Sequence, residues 1–117
     1  MENQHRKITG YRELSQEEVD LMNRIKAAGA ELLQLQAELA GRLSTDQEIL
    51  RADAGRSIKG HEVNGTPATV HTGTTPECHE LSRFQAAEPL RWANIGKTDI
   101  QTGIMALVRA VAQPAGA

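Results

Sequence analysis

The sequence predicts an all-α protein: a small helical protomer with a long N-terminal helix that assembles as a symmetric homo-oligomer. Two observations support this fold class. Residues 11–43 combine a helix start signal with apolar residues at heptad spacing, and residues 90–112 carry a second apolar stripe. The chain has 117 residues, so we expect a single helical domain. Within it, residues 1–14 form a polar N-terminal arm and residues 55–75 a Gly/Thr-rich insertion.

The long helix begins at a capping box. Ser15 and Glu18 fit the pattern S-x-x-E, in which each side chain bonds the backbone N–H of the other residue. Residues at alternating spacings of three and four then follow: Met22, Ile25, Gly29, Leu32, Gln36, Leu39 and Leu43. This is the a/d seam of a coiled coil, and it predicts a helix of about 28 residues. Such a helix favours self-association, because a small domain does not cover its whole length.

Small residues in the middle of this seam indicate a close contact. Ala27, Ala28 and Gly29 follow directly on Lys26. Glycine costs about 1 kcal/mol relative to alanine inside a helix, so Gly29 implies a packing or functional requirement. We expect another backbone or a flat ligand to come close at this point.

Three further helices are predicted after the long one. A second capping box, STDQ, predicts a short helix over residues 45–54. Thr75-Pro76 is typical of a helix start, with threonine as the N-cap and proline at the first helical position. Pro89 either kinks that helix or separates it from the last one, which we place at about 90–112. Near its end, the last helix has apolar residues around most of its circumference. We therefore expect it to lie in the middle of a bundle or at a subunit contact.

The segment between these helices loses its apolar periodicity. Residues 55–75 are rich in Gly and Thr, and we expect a flexible insertion that projects from the body. The alternative is a small β-hairpin around Asn64-Gly65, a type I′ turn signal, with residues 61–63 paired to residues 69–71.

Composition excludes several classes of function. The net charge is −2, so no basic field is available for a general DNA- or RNA-binding role. A small anionic ligand held by a few local cations remains compatible with this charge. Cys78 is the single cysteine, which excludes an intrachain disulfide. The N-terminus has no apolar signal region and no stretch is long enough to span a membrane, so we expect a soluble intracellular protein.

No motif predicts catalysis, a metal or a cofactor. The ligand-type residues His61, His71, Cys78 and His79 do not have the spacing of a zinc site. The chain contains neither a nucleophile elbow nor H-E-x-x-H, and no acid/base pair stands out. We therefore expect a protein that is not an enzyme.

Several cations lie close to small or aromatic residues and could hold an anion. They are Lys26, Arg91, Lys97 and Arg109. Trp92, next to Arg91, fits a core position better than a stacking platform. Tyr11 has no evident local role, and its ring could stack on a flat ligand. The residues alone thus indicate an oligomeric helical protein able to bind a small anion.

Two blocks carry a more specific resemblance. They read ITGYRELSQEEVDLMNRIKAAGAELL at 8–33 and EPLRWANIGKTDIQTGIMALVRAVAQP at 88–114. Together they resemble the phage anti-CBASS cyclic-oligonucleotide sponges of the second anti-CBASS protein family. The middle of the chain, at about 50–76, departs from that pattern, because typical members are shorter.

The resemblance implies a compact helical protomer assembled as a hexamer in the cytoplasm of the infected bacterial host. Such a protein sequesters cyclic dinucleotides such as cyclic GMP-AMP, and cyclic trinucleotides such as cyclic tri-adenylate, without cleaving them. The dinucleotide site of the family falls on Tyr11 and Lys26. The trinucleotide site falls on Arg91 and on Ala28, which brings no hydroxyl to it.

Two other functions remain open at this point. An oligomeric helical adaptor would bind a host protein through the long helix. A phosphodiesterase would destroy the cyclic nucleotide instead of storing it. Recovery of intact ligand from the protein separates these alternatives from a sponge.

Overall fold

The computed structural model describes residues 12–114, which are mostly helical. Helix α1 spans Gln16–Ser57, α2 spans Pro76–Ala87 and α3 spans Pro89–Ala112. Two short strands, β1 at Glu62–Val63 and β2 at Thr66–Pro67, lie between α1 and α2. The predicted helical class is therefore confirmed. No helix within residues 12–114 combines the length and hydropathy needed to cross a membrane.

Helix α1 begins at the predicted capping box and is longer than predicted. The Glu18 N–H donates to Ser15 Oγ at 3.1 Å, and the Ser15 N–H donates to Glu18 Oε1 at 2.9 Å. The helix then continues for 42 residues. The separate helix predicted over 45–54 is therefore wrong. The predicted cap, Ser44, lies inside this continuous helix, and the next residue, Thr45, donates its Oγ1 to the carbonyl of Gly41 at 3.2 Å, a bond within the same helix.

A β-hairpin occupies the centre of the Gly/Thr-rich segment. Strands β1 and β2 are antiparallel, with Val63 opposite Thr66. Asn64 and Gly65 have φ angles of 53° and 81°, as both central residues of a type I′ turn require. The pairing predicted for residues 69–71 is wrong, because Thr69 already starts a turn: its carbonyl accepts from the Gly73 N–H at 2.8 Å.

The junction between α2 and α3 separates two helices. Thr75 caps α2 as predicted, and its Oγ1 accepts from the Cys78 N–H at 3.1 Å. Glu88 adopts the left-handed conformation with φ 50° and ends α2. Helix α3 then starts at Pro89, so the proline separates the helices and does not kink one.

The described residues form two compact units. One comprises residues 12–36 and 96–114, and the other comprises residues 37–95. The expectation of a single domain stays a prediction. The second unit contains the core, in which α1 packs on α2 and on the segment after β2. The core residues are Ala54, Ile58, Cys78 and Leu81, with Leu50, Ala68 and Val70 packed against them.

The C-terminal part of α3 is not enclosed within the described chain. Met105 is 65% exposed and Leu107 is 55% exposed. Within residues 12–114, α3 therefore does not lie in the middle of a helix bundle. The alternative, a contact with another subunit, stays a prediction.

Candidate functional site

Lys26 is an exposed cation on α1 in the first unit. Among residues 12–114, no ion pair or side-chain hydrogen bond engages its ammonium group. Arg24, two positions earlier on the same helix, is also exposed and has no ion pair with the described residues. Tyr11, the proposed partner of Lys26, lies outside the described residues. The amine of Lys26 is thus available to an anion in this part of the chain.

An open apolar groove of about 350 Å³ runs between α1 and α3 within the first unit. Its lining is Ile25, Ala28, Gly29, Leu32, Ile100, Gly103, Ile104 and Leu107. None of these side chains is polar, so the groove by itself offers no donor to a phosphate. It suits an apolar surface, and it contains Ala28, which the resemblance places in the trinucleotide site.

Gly29 allows the two helices to approach at this groove. A Cβ atom built at Gly29 would lie 2.5 Å from Ile104 Cγ1 and nearer still to Ile104 Cδ1. No side chain fits in that space without displacing Ile104. The glycine expected to serve a close contact therefore serves the packing of α3 on α1.

Arg12 connects the C-terminal end of α3 with the first turn of α1. Its Nε donates to the Ala112 carbonyl at 3.2 Å, and its Nη2 donates to the Val111 carbonyl at 2.7 Å. The guanidinium also forms an ion pair with the Glu18 carboxylate. The hydrogen bond from Arg12 and the backbone N–H of Ser15 lower the pKa of Glu18 to about 2. The sequence predicts for Arg12 only a place in the polar N-terminal arm, and no short motif indicates its contacts with α3.

Arg91 lies in the second unit, in the first turn of α3. Its Nη1 donates to Glu88 Oε2 at 3.0 Å, and its guanidinium carbon lies 5.3 Å from the centre of the Trp92 ring. Trp92 is 59% exposed, so the predicted core position is wrong. In this turn of α3 the buried position is taken by Ala93 instead. Arg91 and Trp92 together present a cation and a flat ring on an exposed surface.

The candidate metal ligands do not come together. Cys78 is buried in the core, whereas His61, His71 and His79 are exposed. Across residues 12–114, no group of three His, Cys, Asp or Glu side chains could hold a metal ion.

Comparison with known proteins shows the family to which the chain belongs. The family model described as Acb2/Tad1, hairpin domain, matches residues 3–56. Anti-CBASS protein 2 of Pseudomonas phage JBD67 is 64% identical over 116 residues, which is 99% of each chain. The chain belongs to this anti-CBASS protein 2 family. The resemblance carried by the two terminal blocks is thereby confirmed.

The anti-CBASS protein 2 family match also bears on the middle of the chain. Because the alignment covers 99% of both proteins, the phage relative is of similar length and spans residues 55–75 as well. This segment does not distinguish the chain from that relative. The hairpin-domain match includes Tyr11, Lys26 and Ala28, and the full-length match also includes Arg91.

Proposed function

We propose that this chain is a phage anti-defence protein that binds cyclic dinucleotides, such as cyclic GMP-AMP, and sequesters them without cleavage. Cyclic trinucleotides are a second ligand class. In the cytoplasm of the infected host, sequestration would leave the CBASS effector without its signal. The observation that carries the proposal is the 64% identity over 99% of both chains to a protein named Anti-CBASS protein 2.

The dinucleotide site is proposed at Lys26 and Tyr11. A cyclic dinucleotide has two phosphates and two bases related by an approximate twofold axis, so a twofold dimer would offer each half one ammonium and one ring. Stacking contributes about 1–3 kcal/mol per base, and a charge-assisted phosphate contact about 1.5–3 kcal/mol. At the upper limit of these contributions, two such sets in a preformed pocket reach nanomolar affinity, about −12 kcal/mol. The exposed and unpaired state of Lys26 within residues 12–114 supports this role.

The trinucleotide site is proposed at Arg91. A cyclic trinucleotide has threefold symmetry, and a threefold axis would supply three guanidinium groups. Arg91 would exchange its contact with Glu88 for one with a phosphate. This exchange costs little, because exposed ion pairs are typically worth less than about 1 kcal/mol. A hexamer with separate twofold and threefold axes would accommodate both ligand classes.

An oligomeric adaptor for a host protein is the second candidate. The observation in its favour is the exposed leucine surface of α1, where Leu35 is 56% exposed and Leu39 is 49% exposed. Such a surface could receive an amphipathic helix of a partner.

One experiment separates the sponge from its rivals. The purified full-length chain is mixed with cyclic GMP-AMP and passed through a filter that retains protein. The retained fraction is then denatured, and its nucleotide is chromatographed. Depletion of the filtrate with recovery of intact ligand supports sequestration. Linear product would instead indicate a phosphodiesterase, and an undepleted filtrate would contradict nucleotide binding and favour the adaptor.

A further inference from the structure

We propose that Trp92 is a base-stacking residue of the trinucleotide site, where its ring receives an adenine while Arg91 binds a neighbouring phosphate. The inference rests on the proposed function and deepens it, because it gives the base of the ligand a protein partner as well as the phosphate. Both residues lie in the second unit, at the start of α3. Cyclic trinucleotides with purine bases are the ligand class that this surface favours.

The ring of Trp92 is exposed, although it is the largest side chain of α3. Trp92 is 59% exposed, whereas the next residue, Ala93, is only 8% exposed. Successive residues of a helix are rotated by about 100°, so Arg91 and Trp92 lie on other sides of α3 than the buried Ala93. The ring is therefore not part of the core of the second unit. Tryptophan contributes large contact areas and is enriched among the residues that dominate binding energy.

Arg91 and Trp92 form a cation–ring pair. The guanidinium carbon of Arg91 lies 5.3 Å from the centre of the Trp92 ring, inside the range of about 6 Å for a cation–π contact. Glu88 Oε2 accepts from Arg91 Nη1 at 3.0 Å and holds the guanidinium at this place. Among residues 12–114, no hydrogen bond engages the indole N–H. The cation occupies one side of the ring, and the opposite face is accessible to a flat ligand.

A nucleotide matches this pair in both of its parts. Its base is a flat ring that stacks on an aromatic side chain, and its phosphate accepts two parallel hydrogen bonds from a guanidinium. Base and phosphate are joined through a single sugar, so a phosphate bound at Arg91 keeps a base within reach of the adjacent Trp92. Adenine offers a larger stacking surface than uracil. The pair therefore favours purine over pyrimidine ligands.

Threefold symmetry would repeat the pair once for each nucleotide of the ligand. Three protomers around a threefold axis would supply three rings and three guanidinium groups, which equals the number of bases and phosphates in a cyclic trinucleotide. A subunit contact is the rival role for an exposed tryptophan. The two roles make different demands, because a subunit contact needs the ring for assembly, whereas a stacking surface needs it only for the ligand.

Tryptophan fluorescence of the full-length chain tests the proposal without any substitution, because Trp92 is the single tryptophan. Cyclic tri-adenylate should quench the emission in a saturable manner, with an end point near about one ligand for three chains. Cyclic GMP-AMP, whose proposed site at Lys26 lies in the first unit, should leave the emission unchanged. Quenching by both ligands would overturn the proposal, and so would the absence of quenching while calorimetry records trinucleotide binding.

Two substitutions of Trp92 separate stacking from burial. Trp92→Leu keeps an apolar side chain but removes the aromatic face, and it should weaken cyclic tri-adenylate binding at least about 100-fold, because three stacked bases are lost. Trp92→Phe keeps a smaller ring and should lose less affinity. Both variants should retain the oligomer mass and the Kd for cyclic GMP-AMP of the wild type. Ile49→Ala shortens another exposed apolar side chain of the second unit, and as the matched control it should bind both ligands normally.

The same variants give the results that would overturn the proposal. An unchanged Kd of Trp92→Leu for cyclic tri-adenylate removes the ring from the site, and a smaller oligomer mass makes it a subunit contact. Cyclic tri-uridylate, with equal charge and symmetry, should bind the wild type more weakly than cyclic tri-adenylate; equal affinity contradicts stacking. Should the wild type bind cyclic GMP-AMP but no cyclic trinucleotide, this inference fails and dinucleotide sequestration stands. Should it bind neither, the proposed function itself fails.

Discussion

Lys26 and Arg91 are cations in different electrostatic surroundings. Lys26 has no ion pair with residues 12–114, whereas Arg91 is already paired with Glu88 and lies over the ring of Trp92. An unpaired ammonium binds phosphate without losing a protein contact. A paired guanidinium must first give up its carboxylate partner. It can then donate two parallel hydrogen bonds to one phosphate, because the group is planar. The two proposed roles can therefore be tested separately, Lys26 by cyclic dinucleotide binding and Arg91 by cyclic trinucleotide binding.

The first prediction concerns Lys26. Lys26→Ala should weaken cyclic dinucleotide binding by at least about 100-fold, because a twofold site loses two charge-assisted phosphate contacts. The melting temperature should not fall, since alanine is the better helix former at an exposed position. Arg24→Ala is the control of equal charge change. An unchanged Kd in a calorimetric titration would remove Lys26 from the site.

The second prediction concerns Arg91. Arg91→Ala should impair cyclic trinucleotide binding and leave the Kd for cyclic dinucleotides within about twofold of the wild type. Arg83→Ala is a matched control, because Arg83 forms the same kind of exposed i,i+3 ion pair, with Glu80 of α2. Equal losses of both ligand classes in Arg91→Ala would mean that the two sites are not separate.

At the scale of the elements, one glycine determines how closely α3 packs on α1. The two central glycines of α1 are in opposite surroundings. A Cβ at Gly29 would collide with Ile104, whereas a Cβ at Gly41 would meet no atom of residues 12–114 within 4 Å beyond the adjacent backbone of its own helix. The first glycine is required by packing, and the second only weakens the helix.

Substitution of these glycines should therefore have opposite effects on stability. Gly41→Ala should raise the free energy of unfolding by up to about 1 kcal/mol, which is the gain in helix propensity. Gly29→Ala should lower it by about 1–3 kcal/mol, because overpacking outweighs that gain. Urea denaturation followed by circular dichroism measures both. A stabilised Gly29→Ala variant would show that the Ile104 side chain can move aside without lowering the free energy of unfolding.

At the scale of the whole molecule, large apolar side chains remain exposed on the described residues. The groove in the first unit includes Leu32, 50% exposed, and Leu107, 55% exposed. Surfaces of this kind are typical of protein interfaces. In the proposed hexamer, a second copy of the chain would cover this groove.

Light scattering after size exclusion tests this assembly. The wild type should elute at about six times the protomer mass of 12.7 kDa. Leu107→Glu should shift the mass to a smaller species, because it places a charge in the apolar groove. Ala106→Glu adds the same charge at the neighbouring exposed position, which does not line the groove, and should keep the wild-type mass. A Leu107→Glu variant of unchanged mass would exclude the groove from the interface.

The local hydrogen-bonding patterns of the chain were predictable from the sequence alone. The Ser15 capping box, the Thr75 cap and the Asn64-Gly65 turn each involve partners within three residues, so their chemistry is visible in a short window. The last helix was likewise predicted to within one residue at its start, because its apolar period is regular. The candidate ligand residues Tyr11, Lys26 and Arg91 came from a family resemblance, and their roles stay predictions.

Tertiary structure alone decided the features that depend on distant residues. Trp92 is apolar enough for a core, yet the chain buries Ala93 in that turn instead. Arg12 finds acceptors 99 and 100 residues away, at the end of α3. A short sequence window cannot specify such contacts, because they exist only after packing has brought two helix ends together.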